Sequence, residues 1–323
     1  MKNWIARWFG GNPATRAQAS TAPAVQPSAA VAEGVRAPEG ADLDAAFYMW
    51  LCGAGEREAP PGIDKLILDE LARLVDSPSG GANLVPRVPA VIPQLLRSMR
   101  DDSVSGIHIS KMLAQDVVLV AEVIREANSP YYHPTAPVRT IEGAVMRLGQ
   151  NGLRMLLARV AFRPIISIQV GQFAKMAAPQ VWRQSELCAM AANILAPSMG
   201  AVPFEAYLAG LMDNVGLIVA LRLIDQIYNG DVLPQSHAFS DALHASARTL
   251  SAGIARRWEF PASVVDAIEH LTPTPLAAAL AQGDRVSKLR MLADAGQLAD
   301  DIKLGLDKVS LACFEQLKEE GKD

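Results

Sequence analysis

The stretch AYLAGLMDNVGLIVALRLI, residues 206–224, holds two apolar runs joined by the polar pair Asp213-Asn214 and followed closely by Gly216. Each run has helical apolar spacing, and the pair marks where one helix stops and the next begins. A carboxylate beside an amide at such a break is either a place for chemistry or a helix end. Asn214 suits the N-cap of a helix starting at Val215-Gly216, and Asp213 suits hydrogen bonds from nearby backbone or arginine groups. Outward from this point the pattern stays helical. Helices are expected at 42–52 (capped by Asp42 or Asp44), 63–75, 90–100, 106–114, 116–127, 140–148, 151–161 and 180–196. More follow at 204–213, 216–228, 238–257, 261–271, 284–295 and 306–320. FRPIISIQV, 162–170, is the one β-like run and reads as an extended connector. The fold class is therefore all-α, a multi-helix bundle with short loops and no repeat of roughly 20–50 residues.

The chain divides by composition. Residues 1–10 carry Trp4, Ile5, Trp8 and Phe9 on one helical face, with Lys2 and Arg7 off it. A helix this short is marginal alone, so the face is expected to dock on a protein partner's groove. A membrane interface or the chain's own domain are the competing resting places, and two basic side chains argue weakly for a membrane. Residues 11–41 are rich in Ala, Pro, Ser and Gly and read as a disordered linker. Residues 42–82 form a small helical region, 83–285 the main domain, and 286–323 C-terminal helices packing on it.

The bulk numbers exclude several classes. A net charge of −4 and a pI near 5.8 provide no broad basic field, which argues against nucleic-acid binding as a main role. Cys52, Cys188 and Cys313 lack paired spacing and read as reduced thiols, with Cys188 packed in a core. The apolar run VGLIVALRLI is broken by Arg222 and is shorter than the ~20 residues a bilayer needs. A cytoplasmic location is expected, and no cofactor-binding motif is present.

Further motifs fall in a fixed order. Val85-Pro86 and Val88-Pro89 open the main domain, and Asp116-Val117-Val118-Leu119 follows. Next come Asn128-Ser129 after a leucine-containing helix, and Ala144 through Leu148-Gly149. Each has a structural reading: the prolines hold the entry chain extended. Asn128 suits a left-handed helix end, Thr140 an N-cap, and Gly149 the positive φ of a C-terminal cap. Trp258 and Pro261 end one helix and begin another. In this order, over residues 84–275, the chain resembles the HDOD family, bacterial relatives of HD-type phosphohydrolases whose catalytic signature has decayed.

The resemblance implies where a metal site once lay. In active HD enzymes a His precedes a His-Asp doublet, and a distant Asp completes the set. Here the first position is Gln184, in WRQSE, and the doublet is Asp213-Asn214. Asp266 and Asp284 are both candidates for the distant Asp. His244 and His270 match family positions near the pocket, with Leu271 where active members carry a second His; His108, His133 and His237 lie elsewhere. An amide oxygen is a weak ligand without a carboxylate's charge. No metal is therefore expected, and no catalytic residue. The expected function is a non-catalytic signalling or adaptor module, a pseudoenzyme that binds a protein partner or a nucleotide-like ligand. The alternative is a residual metal-dependent phosphohydrolase or phosphodiesterase acting on a nucleotide or cyclic dinucleotide.

Overall fold

A computed structural model describes residues 38–53, 57–76, 84, 117–128, 136–166, 171–269, 273–298 and 304–320. The Trp4–Phe9 face, the linker through residue 37, Ser129, His108, His133 and His270 lie outside the described residues. Among the described residues there are eleven helices and no strand. They are α1 (Ala41–Leu51), α2 (Ile63–Asp76), α3 (Val117–Ala127), α4 (Ile141–Ile166), α5 (Phe173–Met199) and α6 (Pro203–Asp213). The rest are α7 (Val215–Ile227), α8 (His237–Arg257), α9 (Ala262–Glu269), α10 (Pro275–Asp294) and α11 (Lys308–Glu320).

Helix α5 is the axle, packing along α10 on one side and α6 on the other. Its inner face is rich in alanine, from Ala174 to Ala196, so its neighbours approach closely. A Cβ added to Gly283 of α10 would lie 2.8 Å from the backbone nitrogen of Ala192. A Cβ on Gly216 of α7 would lie 1.9 Å from the carbonyl oxygen of Ala247 in α8. Small residues at these crossings let backbone meet backbone, and that draws the polar groups beside them together. A second, smaller cluster joins α3 to the start of α4 through Val123, Ala127, Ala144, Leu148, Leu153 and Leu156.

Several boundaries differ from the sequence reading. Helix α5 begins at Phe173, not near 180, and carries Pro179 inside it. Its first turn is held from a distance: Asp225 of α7 accepts from the backbone N–H groups of Gln172, Phe173 and Ala174 at 2.9, 2.8 and 3.0 Å. A carboxylate there satisfies orphan donors and meets the positive end of the helix dipole. Helix α10 begins at Pro275, not 284, behind a Thr274 cap whose hydroxyl accepts from Ala277 N–H at 3.1 Å. Residues 162–166, expected to be extended, continue α4; Phe162 is fully buried, edge-on to Trp258 and Phe260. Helix α1 takes Gly40 as its N-cap, leaving Asp44 free to point into the domain.

Local motifs divide in the same way. Gly149 takes φ 63 at a kink within α4, and the Thr140 hydroxyl accepts from Gly143 N–H at 3.2 Å. Trp258 is the C-cap of α8, and α9 starts just after Pro261. Asn128 does not take the left-handed conformation. Its side chain instead spans the loop, donating to the Ile124 and Val138 carbonyls and accepting from Val138 N–H at 2.7 Å. His237, just outside the helix expected at 238–257, is the first residue of α8. Taken as one span, Pro203–Ile227 is long and apolar enough to cross a bilayer, but 94% of its apolar window is buried and Asn214 breaks it into α6 and α7.

Candidate functional site

The close crossings bring polar residues from five helices to the middle of α5. Gln184 projects from the middle of α5 and has no exposed surface. Asn214 occupies the α6–α7 junction. Asp284 sits next to Gly283, and Lys288 lies one turn further along α10. Asp44 enters from α1, and His244 and Arg248 from α8.

The hydrogen bonds fix which way each amide faces. A carboxylate only accepts, so Gln184 must turn its nitrogen toward Asp284. It does, with Nε2 donating to Oδ1 of Asp284 at 2.6 Å. Gln184 Oε1 then faces Asn214, whose Nδ2 donates to it. Lys288 Nζ donates to Asp284 Oδ2 at 2.7 Å and to Asp44 Oδ1 at 2.5 Å. One unbroken chain therefore runs Asn214, Gln184, Asp284, Lys288, Asp44.

Asn214 does not cap α7 with its side chain, contrary to the sequence reading. Its amide is turned inward to Gln184, and Ser251 takes over at the junction. Ser251 Oγ accepts from Gly216 N–H at 2.8 Å and donates to the Asp213 carbonyl at 2.6 Å. The Asp213 carboxylate also departs from expectation, since among the described residues no hydrogen bond reaches it. Arg248 and Lys288 act on it only through their charge.

Electrostatics follow from the burial. Burial, then the Asp284 charge, pushes the Asp213 carboxyl up to about 7, with Arg248 and Lys288 opposing. Burial works against the Lys288 ammonium, but Asp284 and Asp44 outweigh it and hold its pKa above the usual lysine value. Burial likewise opposes ionisation of Asp44, yet Lys288 and His244 keep it below the carboxylate norm. His244 is driven down by burial and then by Lys288. Its Nδ1–H donates to the Ser240 carbonyl at 2.8 Å, and its ring stands edge-on to Tyr48.

Of the sequence candidates, Gln184, Asn214 and Asp284 meet directly, and Asp213 and His244 lie within electrostatic reach. Asp266 on α9 takes no part in the chain of contacts. Sequence reasoning missed Lys288 and Asp44. The signal for Lys288 was present as an Asp-to-Lys pair four residues apart in GDRVSK. Nothing local ties Asp44 to it across 244 positions.

An HD-type metal centre does not fit this donor set. The Gln184 oxygen already accepts from Asn214, and both Asp284 oxygens are engaged, one of them by an ammonium. Among the described residues no group of three His, Cys, Asp or Glu side chains converges as ligands.

The arrangement is an all-α, HD-like bundle with a buried polar cluster where α1, α5, α10 and the α6–α7 junction meet. Residues 85–273 match the HDOD domain. The chain belongs to the HDOD family, an HD-like family associated with signalling. An uncharacterized protein of Treponema pallidum is 26% identical over 196 residues, 57% of this chain. The chain spans only 37% of that relative's length. Two solved structures share the fold. A Shewanella amazonensis protein, provisionally named a metal-dependent phosphohydrolase, is 18% identical with a TM-score of 0.56, covering 80% of this chain and 99% of its own. A Marinobacter aquaeolei protein, provisionally named a signal transduction protein, is also 18% identical, with a TM-score of 0.53 over 88% of this chain and 64% of its own. The two names disagree about activity, and at such identity the fold is what the likeness carries.

Proposed function

We propose that this chain is a non-catalytic, cytoplasmic signalling module, a pseudoenzyme that works by binding. The observation that carries this reading is the closed chain from Asn214 through Gln184 and Asp284 to Lys288. Metal-assisted hydrolysis needs open coordination positions and a water made nucleophilic by charge. Here the ligand positions are engaged with one another, and the local cation is a lysine. The decisive measurement is metal content of the purified protein together with turnover of bis-p-nitrophenyl phosphate and cyclic dinucleotides. Stoichiometric Mn, Fe or Zn, with turnover lost in Asp213→Ala, would reverse the assignment in favour of a residual phosphohydrolase.

Partner recognition is assigned to two surfaces, the helical domain and the Trp4-Ile5-Trp8-Phe9 face. The linker keeps the two at high effective concentration. Supporting this is the composition of residues 1–10, whose aromatic area exceeds what a ten-residue helix can hide. The domain surface would take a protein or a nucleotide-like ligand. Deleting residues 1–10 should leave the melting temperature unchanged and abolish co-purification of a partner. A drop of several degrees would mean that the aromatic face packs on its own domain.

A further inference from the structure

The geometry points to Lys288 as a built-in replacement for a divalent cation: its ammonium occupies the charge position among Asp44, Asp284 and the Gln184–Asn214 amides that an ion would otherwise fill. This inference rests on the non-catalytic reading and deepens it, by naming what took over the site.

Three observations carry it. Lys288 is 5% exposed in its side chain, yet its Nζ sits 2.5 and 2.7 Å from two carboxylate oxygens on different helices. The carboxylates come from α1 and α10, and Asp284 is also the point where the amide chain ends, at 2.6 Å from Gln184. A single positive group thus ties together α1, α5, α10 and, through Asn214, the α6–α7 junction. Holding several elements by oxygen donors around one centre is what a structural cation does. The Phe47 ring centroid lies 5.9 Å from the same nitrogen, an additional surface favourable to positive charge.

The charge balance makes the idea testable. With Lys288 present, Asp44, Asp284 and Lys288 sum to one negative charge. Without it, two carboxylates face one another across the space its side chain filled, with the Asp213 carboxyl and the Arg248 charge nearby. Such a set calls for a hard divalent ion. An ordinary buried ion pair has no such corollary: removing its cation leaves a destabilised protein indifferent to metal.

The test uses the full chain as wild type, Lys288→Met and Lys288→Met/Asp284→Asn, with Mn2+ as the probe. Free Mn2+ is read by electron paramagnetic resonance, and folding by thermal denaturation. Lys288→Met should be less stable than wild type and should bind one Mn2+ at least roughly tenfold more tightly than wild type. Its melting temperature should rise with added Mn2+, and the double variant should lose both responses. The inference is overturned if Lys288→Met ignores Mn2+, if it stays unfolded with and without the ion, or if wild type binds Mn2+ equally well. Turnover by wild type would instead sink the non-catalytic reading, so the two failures are told apart.

Discussion

A glutamine in the middle of a helix ordinarily faces water, yet Gln184 has no exposed surface. Burying its amide is affordable because both ends are hydrogen-bonded, to Asn214 and to Asp284. That pairing was half legible. The residues could be placed in order along a known pattern, but which atom faces which follows only once Asp284 is known to sit opposite. Asp213 has a pH consequence of its own. Its carboxyl titrates near 7 when folded, against 3.8 ordinarily. Below 3.8 both states hold the proton and the group contributes nothing. Between 3.8 and about 7 the unfolded chain releases a proton that the folded one keeps, so stability falls as pH rises. Asp213→Asn lacks this penalty. It should gain about 1–3 kcal/mol over wild type at pH 8 and nearly nothing at pH 4, the size reduced by partial exposure. Urea denaturation at the two values checks it; an equal effect at both would contradict the raised carboxyl.

Among elements, the lesson comes from α5 and α10. Both start earlier than the apolar pattern indicates, because their first turns are alanine-rich and show little contrast between faces. Proline at 179 and at 275 reads as a break from sequence, and only the second marks a start. What holds the early turn of α5 is Asp225, which no local pattern connects to it. Asp225→Ala should cost about 1–3 kcal/mol, and hydrogen exchange should rise first at residues 172–174. Helix crossings were equally invisible. Gly216 reads as a helix weakener, but its missing Cβ is what admits Ala247. Gly216→Ala should cost about 3 kcal/mol or more, since backbone stands in the way. Calorimetry would show this as a lowered midpoint. The helical class itself was plain, because long segments with helical apolar spacing and no alternating runs leave few other folds open.

At the scale of the molecule, α1 belongs to the same body as the domain. Phe47 and Tyr48 are buried, the Tyr48 hydroxyl donates to the Pro234 carbonyl at 2.8 Å, and Asp44 meets Lys288. The contact is long-range in sequence and could not be read from composition. Asp44→Ala should cost about 1–3 kcal/mol, and exchange should quicken selectively in residues 41–51. Uniform acceleration across all helices would show instead that the Asp44–Lys288 contact holds the whole domain and not α1 alone.

The burial of α6 and α7 has a consequence for synthesis. Of these two greasy helices, α6 is covered in part by α10, made roughly sixty residues later. On the ribosome they emerge before their lid exists, when a chaperone or an insertion machine could mistake them for lipid-bound sequence. A nascent chain stopped after Glu269 should therefore pellet with aggregates, whereas the finished one stays in the supernatant.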